Sequence, residues 1–204
     1  FPIFAFMIAE GCYYTSNVKK YMLRLFLFAI ISEIPFNLIM GSSVFYPFHQ
    51  NVLWTFLLGV LSIQIIEKAK KKQKKWISFF VVCLVLLMDF LLGTITMVDY
   101  NAAGILTVLL FYFFRKKTWI SFAAQLVGLY YLNVVMLGNL YYPVTILGHH
   151  FEIAQQSFAL LALIPIWLYH GEQGYHSKWF KYFCYAFYPV HLLILVVIWQ
   201  WRIR

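Results

Sequence analysis

The sequence predicts an all-α fold: a polytopic transmembrane bundle of about eight helices, forming one domain over residues 1–204. Three observations carry this. The chain is 63% hydrophobic and only 11% charged, with a mean hydropathy of +0.77. A soluble domain has about 45–50% apolar and about 25% charged residues, so the surplus exceeds what one soluble core of this size can bury. The apolar residues also come in long runs without alternation, the pattern of helices rather than of barrel strands. Finally, the basic residues fall almost entirely on one side of those runs.

Eight runs are read, at 1–14, 21–41, 51–67, 76–98, 101–114, 119–138, 154–169 and 180–201. A helix needs about 20 residues to cross the hydrocarbon layer. The first run is short because the sequence opens inside it, at Phe1, and the sequence is expected to be a fragment. The run 101–114 is short too. It must draw on Asp99 and Tyr100 or be covered by its neighbours. If all eight cross, one side receives Lys19, Lys20, Arg24, the six lysines of "KAKKKQKK" (68–75), Arg115, Lys116, Lys117, Lys178 and Lys181. Only Arg202 and Arg204 fall on the other. The positive-inside rule makes the crowded side cytoplasmic, so loops 15–20, 68–75, 115–118 and 170–181 are expected there. Dropping one crossing scatters the charges. The net charge of +9 therefore reads as topology in membrane lipid, with no nucleic-acid partner.

The opposite face has three connections, 42–50, 99–101 and 139–152, and polar side chains collect on them. Within the second run, "SEIPFN" (32–37) places Glu33 and Pro35 in an apolar stretch. An ionisable side chain there is costly and marks a functional-site hypothesis. Asn37 shares the face of Glu33 at i+4, and Pro35 frees a backbone carbonyl one turn back. The result is a kinked polar face, expected to bury against Asn51 and, beyond it, Asp99. The bland alternative is a structural carboxylate hydrogen-bonded to a neighbouring helix. Asn51, Thr55, Gly59 and Ser62 form a small polar stripe, the usual mark of a helix–helix contact, although Gln50 and Asn51 could instead line a pocket with Glu33. Asp99 and Tyr100 open the fifth run, as a helix cap or as a site. Asp89 lies mid-run and needs a partner. Glu10 and His170 sit near cytoplasmic ends. His191, in "FYPVHLLIL", is a base, a hydrogen-bond donor or a packing residue.

The cysteines, Cys12, Cys83 and Cys184, are far apart and have no metal-ligand spacing. Neither a disulfide nor a metal site is expected. There is no phosphate-binding glycine loop, no GxSxG elbow and no HExxH.

"FPIFAFMIAEG" (1–11), "KKYMLRLFLFAIISEIPFNL" (19–38), "QNVLWTFLLGVL" (50–61), "DYNAAGILTVLLFYFFR" (99–115) and "KYFCYAFYPVHLLIL" (181–195) resemble, in order, blocks of the TraX family. That family is named for a conjugative-plasmid protein that N-acetylates F-type pilin, and it is related to wider membrane acyltransferases. Its members normally open on a further transmembrane helix, carrying an Asp-His pair, before the "FPIFAF" block. Where the family commonly reads Asp-Tyr-Gly, this chain reads Asp99-Tyr100-Asn101, an exchange expected to be minor as long as the backbone at 101 is ordinary.

The resemblance implies a multi-pass protein of the bacterial cytoplasmic membrane. It implies an acetyltransferase that takes its acyl group from acetyl-CoA, on the cytoplasmic side, and passes it to an amine of pilin or another envelope molecule. The basic loops would suit the coenzyme phosphates. Glu33 or the histidine of the upstream pair would supply a base, with His191 a second intramembrane candidate. Gln50, Asn51, Asp99, Tyr100, Asn37 and Glu10 would bind and orient substrate. Two other readings stand beside this one. One is a proton- or solute-coupled transporter using Glu33, Asp89 and His191, against which no inverted repeat is visible. The other is a non-catalytic partner in envelope or pilus assembly.

Overall fold

A computed structural model describes residues 1–138, 140–146, 149–172, 174 and 177–203. Arg204, and residues 139, 147 and 148 of the third connection, lie outside them. The described residues form eight α-helices: α1 (Pro2–Tyr14), α2 (Val18–Gly41), α3 (Val52–Lys72), α4 (Lys75–Ile95), α5 (Asn101–Phe113), α6 (Trp119–Leu129), α7 (Leu163–Leu168) and α8 (Lys178–Ile203). The architecture is the all-α bundle read from the sequence. Helices α2, α3, α4 and α8 are long and apolar enough to cross a membrane. The chain is a membrane protein.

Local chemistry places the helix starts. Pro2 opens α1, where its missing N–H costs nothing. Asn17, Asn51 and Thr118 cap α2, α3 and α6, each side-chain oxygen accepting a backbone N–H from the first turn. Helix α3 runs on to Lys72, and its last turn carries Lys70, Lys71 and Lys72 at the negative end of the helix dipole.

Helix α5 is the hub. Its 13 residues span about 20 Å at 1.5 Å per residue, short of the roughly 30 Å hydrocarbon layer. It avoids exposing its ends to lipid by being covered: Ala102, Ala103, Ile105, Thr107, Val108, Leu109 and Phe111 are all buried. Helices α1, α3, α4 and α6 pack around it. The stripe on α3 makes that packing close. Gly59 faces Val108, and Thr55 faces Gly104. Ser62, on the same stripe, turns to α4 and donates to Asp89 at 2.7 Å, which supplies the partner that Asp89 required.

Three regions depart from the sequence reading. The connection 139–152 contains an antiparallel hairpin, β1 (Tyr141–Ile146) and β2 (His149–Ala154), with Tyr141 opposite Ala154 and Ile146 opposite His149. The run 154–169 is not one regular helix: a 3₁₀ stretch over Gln155–Ala162 leads into the short α7. Helix α6 likewise widens into a π-helix over Tyr130–Val135, where Asn133 Nδ2 bonds the Leu129 carbonyl.

The helix ends sort by charge. Arg115 pairs with Glu10, Lys117 donates to the carbonyls of Trp167 and Tyr169, and Lys70 donates to Tyr112. These contacts gather the ends of α1, α3, α5 and α7 at one end of the bundle. The 42–50 segment, the α4–α5 connection and the hairpin lie at the other, where Gln50 and Val98 form a parallel bridge.

Candidate functional site

At this second end, α2 and α3 are tied by a knot of polar side chains. Asn51 Nδ2 donates to the Ala29 carbonyl at 2.9 Å and also to Glu33 Oε2. Trp54 Nε1 donates to the same oxygen at 2.9 Å. Asn51 Oδ1 meanwhile accepts the Leu53 N–H that caps α3. Asn51 is fully buried, and the desolvation of its amide is offset by this complete set of bonds. Glu33 Oε1 has no hydrogen-bond partner among the described residues, and neither has Asn37 Oδ1. Asn37 Nδ2 holds the Val44 carbonyl at 3.1 Å, bracing the 42–50 segment.

The next residues in chain and space fix Asp99. Gln50 N–H donates to the Met97 carbonyl, and Asp99 N–H donates to the Gln50 carbonyl, both at 2.9 Å. Thr55 Oγ1 donates to the Asp99 carbonyl at 2.6 Å. The carboxylate accepts the Tyr100 N–H at 3.1 Å and lies 3.4 Å from His49 Nε2. Burial pushes the Asp99 carboxyl above the usual carboxylate range, while the His49 ring and the Tyr100 N–H work against that shift. The backbone here is unusual. Met97, Tyr100 and Asn101 have φ of 52°, 62° and 46°. The expectation of an ordinary backbone at 101 is thus corrected. Asn101 occupies the left-handed region that glycine enters freely and that asparagine, among other residues, tolerates best.

Asp99 and Tyr100 close one end of a cavity of about 470 Å³ between α1, α2, α3 and α8. Its walls are mostly aromatic and aliphatic. Its polar groups are Asp99, the hydroxyls of Tyr100, Tyr188, Tyr21 and Tyr185, and His191. His191 Nδ1 is 3.1 Å from the Phe187 carbonyl. A carbonyl only accepts, so Nδ1 carries the proton and a neutral ring keeps its lone pair on Nε2. Stacking on Phe187 and contact with Tyr188 fix the ring plane. At the far end, Tyr185 accepts a bond from Arg24 Nε at 3.2 Å. The cavity therefore reaches from the Asp99 turn toward the basic end of the bundle.

A family model described as TraX protein matches residues 1–199. The chain belongs to the TraX family. No curated protein and no solved structure matches it.

On this TraX-family chain, the residues singled out from sequence divide into three groups. Asp99, Tyr100 and His191 share the cavity. Glu33, Asn37, Gln50 and Asn51 lie behind it as its support, with Glu33 bound to Asn51 and Trp54 rather than lining the cavity. Glu10 is elsewhere: with Arg115, Lys117, Gln125 and His170 it lines a second cavity of about 190 Å³ at the basic end. Trp54, Tyr21 and Tyr185 were not visible as site residues in the sequence. Aromatics fill every run of this chain, and only the packing shows that Trp54 gives its N–H to Glu33 and that Tyr21 and Tyr185 line the cavity.

Proposed function

We propose that this TraX-family membrane protein is an acetyltransferase that moves an acetyl group from acetyl-CoA to an amine of pilin or another envelope molecule, in the setting of conjugation. The observation that carries the reading is the placing of His191 on the same cavity as Asp99 and Tyr100, with its Nε2 lone pair uncommitted. An acceptor amine must lose a proton to attack a thioester, and a positioned imidazole serves as that base. In the proposed reaction the amine nitrogen bonds to the acetyl carbon. His191 Nε2 takes the amine proton, the C–S bond breaks, and the coenzyme leaves as a thiol after receiving that proton. Tyr100 and Tyr188 are placed to donate to the developing oxyanion, and Asp99 to orient the acceptor. Glu33 is a positioning residue. Through Asn51 and the adjoining Gln50 it holds the strand bridge on which Asp99 hangs.

The basic end of the bundle is the proposed cytoplasmic side of a multi-pass protein, where Arg24 meets Tyr185 and the basic loops suit the phosphates of acetyl-CoA. The transporter alternative draws less support. Asp89 bonds Ser62, Glu33 bonds Asn51 and Trp54, and His191 bonds the Phe187 carbonyl, so the three are engaged in separate contacts.

The test is transfer of labelled acetyl from acetyl-CoA to a pilin-derived amine by the purified chain. His191→Gln should lower turnover by roughly 10²-fold or more, the usual worth of a general base. Glu33→Gln should keep turnover within about tenfold, because a group that only positions others acts indirectly. Unchanged turnover in His191→Gln would remove it as the base. A parent protein that neither transfers the acetyl group nor hydrolyses acetyl-CoA would discard the enzyme reading in favour of an assembly role.

A further inference from the structure

The turn between α3 and α4 forms a groove of about 310 Å³ that none of the preceding chemistry uses. Lys70, Gln73 and Lys75 form its upper rim, Ser78 its floor, and Phe79 and Val82 its lower wall. The rim is held in place. Tyr112 donates its hydroxyl proton to Glu67 and accepts from Lys70 Nζ at 3.1 Å. The Lys70 ammonium also sits over the rings of Tyr112 and Phe113, 4.9 and 5.3 Å from their centroids. One of its three N–H donors is thereby used, which leaves two for a ligand. The floor is held too: Ser78 Oγ donates to the Ala69 carbonyl at 3.0 Å.

Charge and polarity then select the occupant. Six lysines lie within 68–75, against the single carboxylate of Glu67. The 21-residue helix α4 begins here with no capping side chain and no acid in its first turn, so its dipole adds to the positive field. Immediately below, Phe79 and Phe80 are 64% and 62% exposed and Trp76 61%, an aromatic shelf on an apolar helix. A soluble anion would satisfy the rim and leave the wall unused. An apolar peptide would satisfy the wall and leave the lysines unpaired. We propose that this groove is a binding site for an anionic phospholipid, whose phosphate meets Lys70 and Lys75 and whose acyl chain lies along Phe79 and Val82.

The experiment is native mass spectrometry of the full chain from mixed micelles holding equal amounts of phosphatidylglycerol and phosphatidylcholine. The parent protein should retain phosphatidylglycerol selectively. Lys70→Gln with Lys75→Gln should cut that retention roughly ten- to thirtyfold. Val82→Trp, which fills the groove and keeps every charge, should cut it as well. Lys116→Gln with Lys178→Gln removes the same charge from other basic connections and should leave retention unchanged. Equal loss in that control pair would reduce the effect to general surface charge and overturn the proposal. So would unchanged selectivity in the groove variants. Displacement of the lipid by millimolar glycerol phosphate or coenzyme A would reassign the site to a soluble phosphate, and would equally overturn it.

Discussion

Asn101 permits a clean test of what the Asp99-Tyr100-Asn101 turn demands of the sequence. Its φ is +46°, its side chain is exposed, and that side chain makes no hydrogen bond among the described residues. Substitution there reports on the backbone and little else. A residue with a Cβ loses about 1–2 kcal/mol in the left-handed region, and a β-branched residue loses more. Asparagine escapes part of this cost. Asn101→Val should therefore destabilise by about 2 kcal/mol, which for a chain of this size lowers Tm by about 4–8 °C. Asn101→Ala should fall between Val and the parent. Asn101→Gly should equal the parent or exceed it by up to about 1 kcal/mol, since relief of the strain is partly cancelled by the entropy that glycine adds to the unfolded chain. The assay is thermal unfolding of the detergent-solubilised protein followed by tryptophan fluorescence. The order Gly, Asn, Ala, Val is expected. A Val variant as stable as the parent, or a Gly variant below Ala, would show that residue 101 does not occupy the left-handed region.

Three further outcomes follow from the packing. Burial holds the Asp99 carboxyl above its ordinary value in the folded state. Its stabilising contribution is complete below the unfolded pKa and is lost as pH rises through the folded one, so a pH–stability profile should fall across the acid range and Asp99→Asn should flatten it. A Cβ on Gly93 would sit 2.6 Å from Ala102 Cα and 2.7 Å from its nitrogen; Gly93→Ala should cost about 1–3 kcal/mol by denaturation, whereas Gly174→Ala, with nothing among the described residues within 4 Å, should be neutral. Ser62→Ala strands the buried Asp89 at a cost of about 1–3 kcal/mol, and adding Asp89→Leu should recover most of it in a double-mutant cycle.

What the sequence shows and what it hides follow from the range of each interaction. The bundle was legible because bilayer burial acts on every residue of a run; the caps at Asn17 and Thr118 went unread and appear only in the structure. The approach of Glu33 to Asn51 was also legible, since two polar groups in neighbouring apolar runs have few partners to choose. Trp54 as the second donor was not, because it depends on the rotation of α3 about its axis. The hairpin at 141–154 was read only as a connection: Pro143 interrupts the first strand, and "YYPVTI" shows no strict alternation of polar and apolar residues. The π-helix after α6 and the 3₁₀ stretch before α7 differ from α-helix by one residue in hydrogen-bond spacing, a choice made by packing that leaves hydrophobic periodicity nearly unchanged.

The contrast between α3 and α8 bears on how the cavity works. Helix α3 touches α1, α2, α4 and α5, and the Asn51 knot pins its start to α2. The Asp99 wall hangs on that rigid start through Gln50 and Thr55. Helix α8 packs chiefly on α2 alone, with Leu193, Ile194 and Val197 exposed on its outer face. The cavity thus has one wall held by a buried hydrogen-bond network and one held by apolar contact along α2 with two isolated hydroxyl bonds, Tyr185 with Arg24 and Tyr188 with the Val52 backbone. A wall of the second kind can shift with less loss of bonding, because apolar contacts are non-directional and hydrogen bonds are not. A shift of α8 would carry His191 and Tyr188 together, on one helix, while Asp99 and Tyr100 stay fixed at the start of α3.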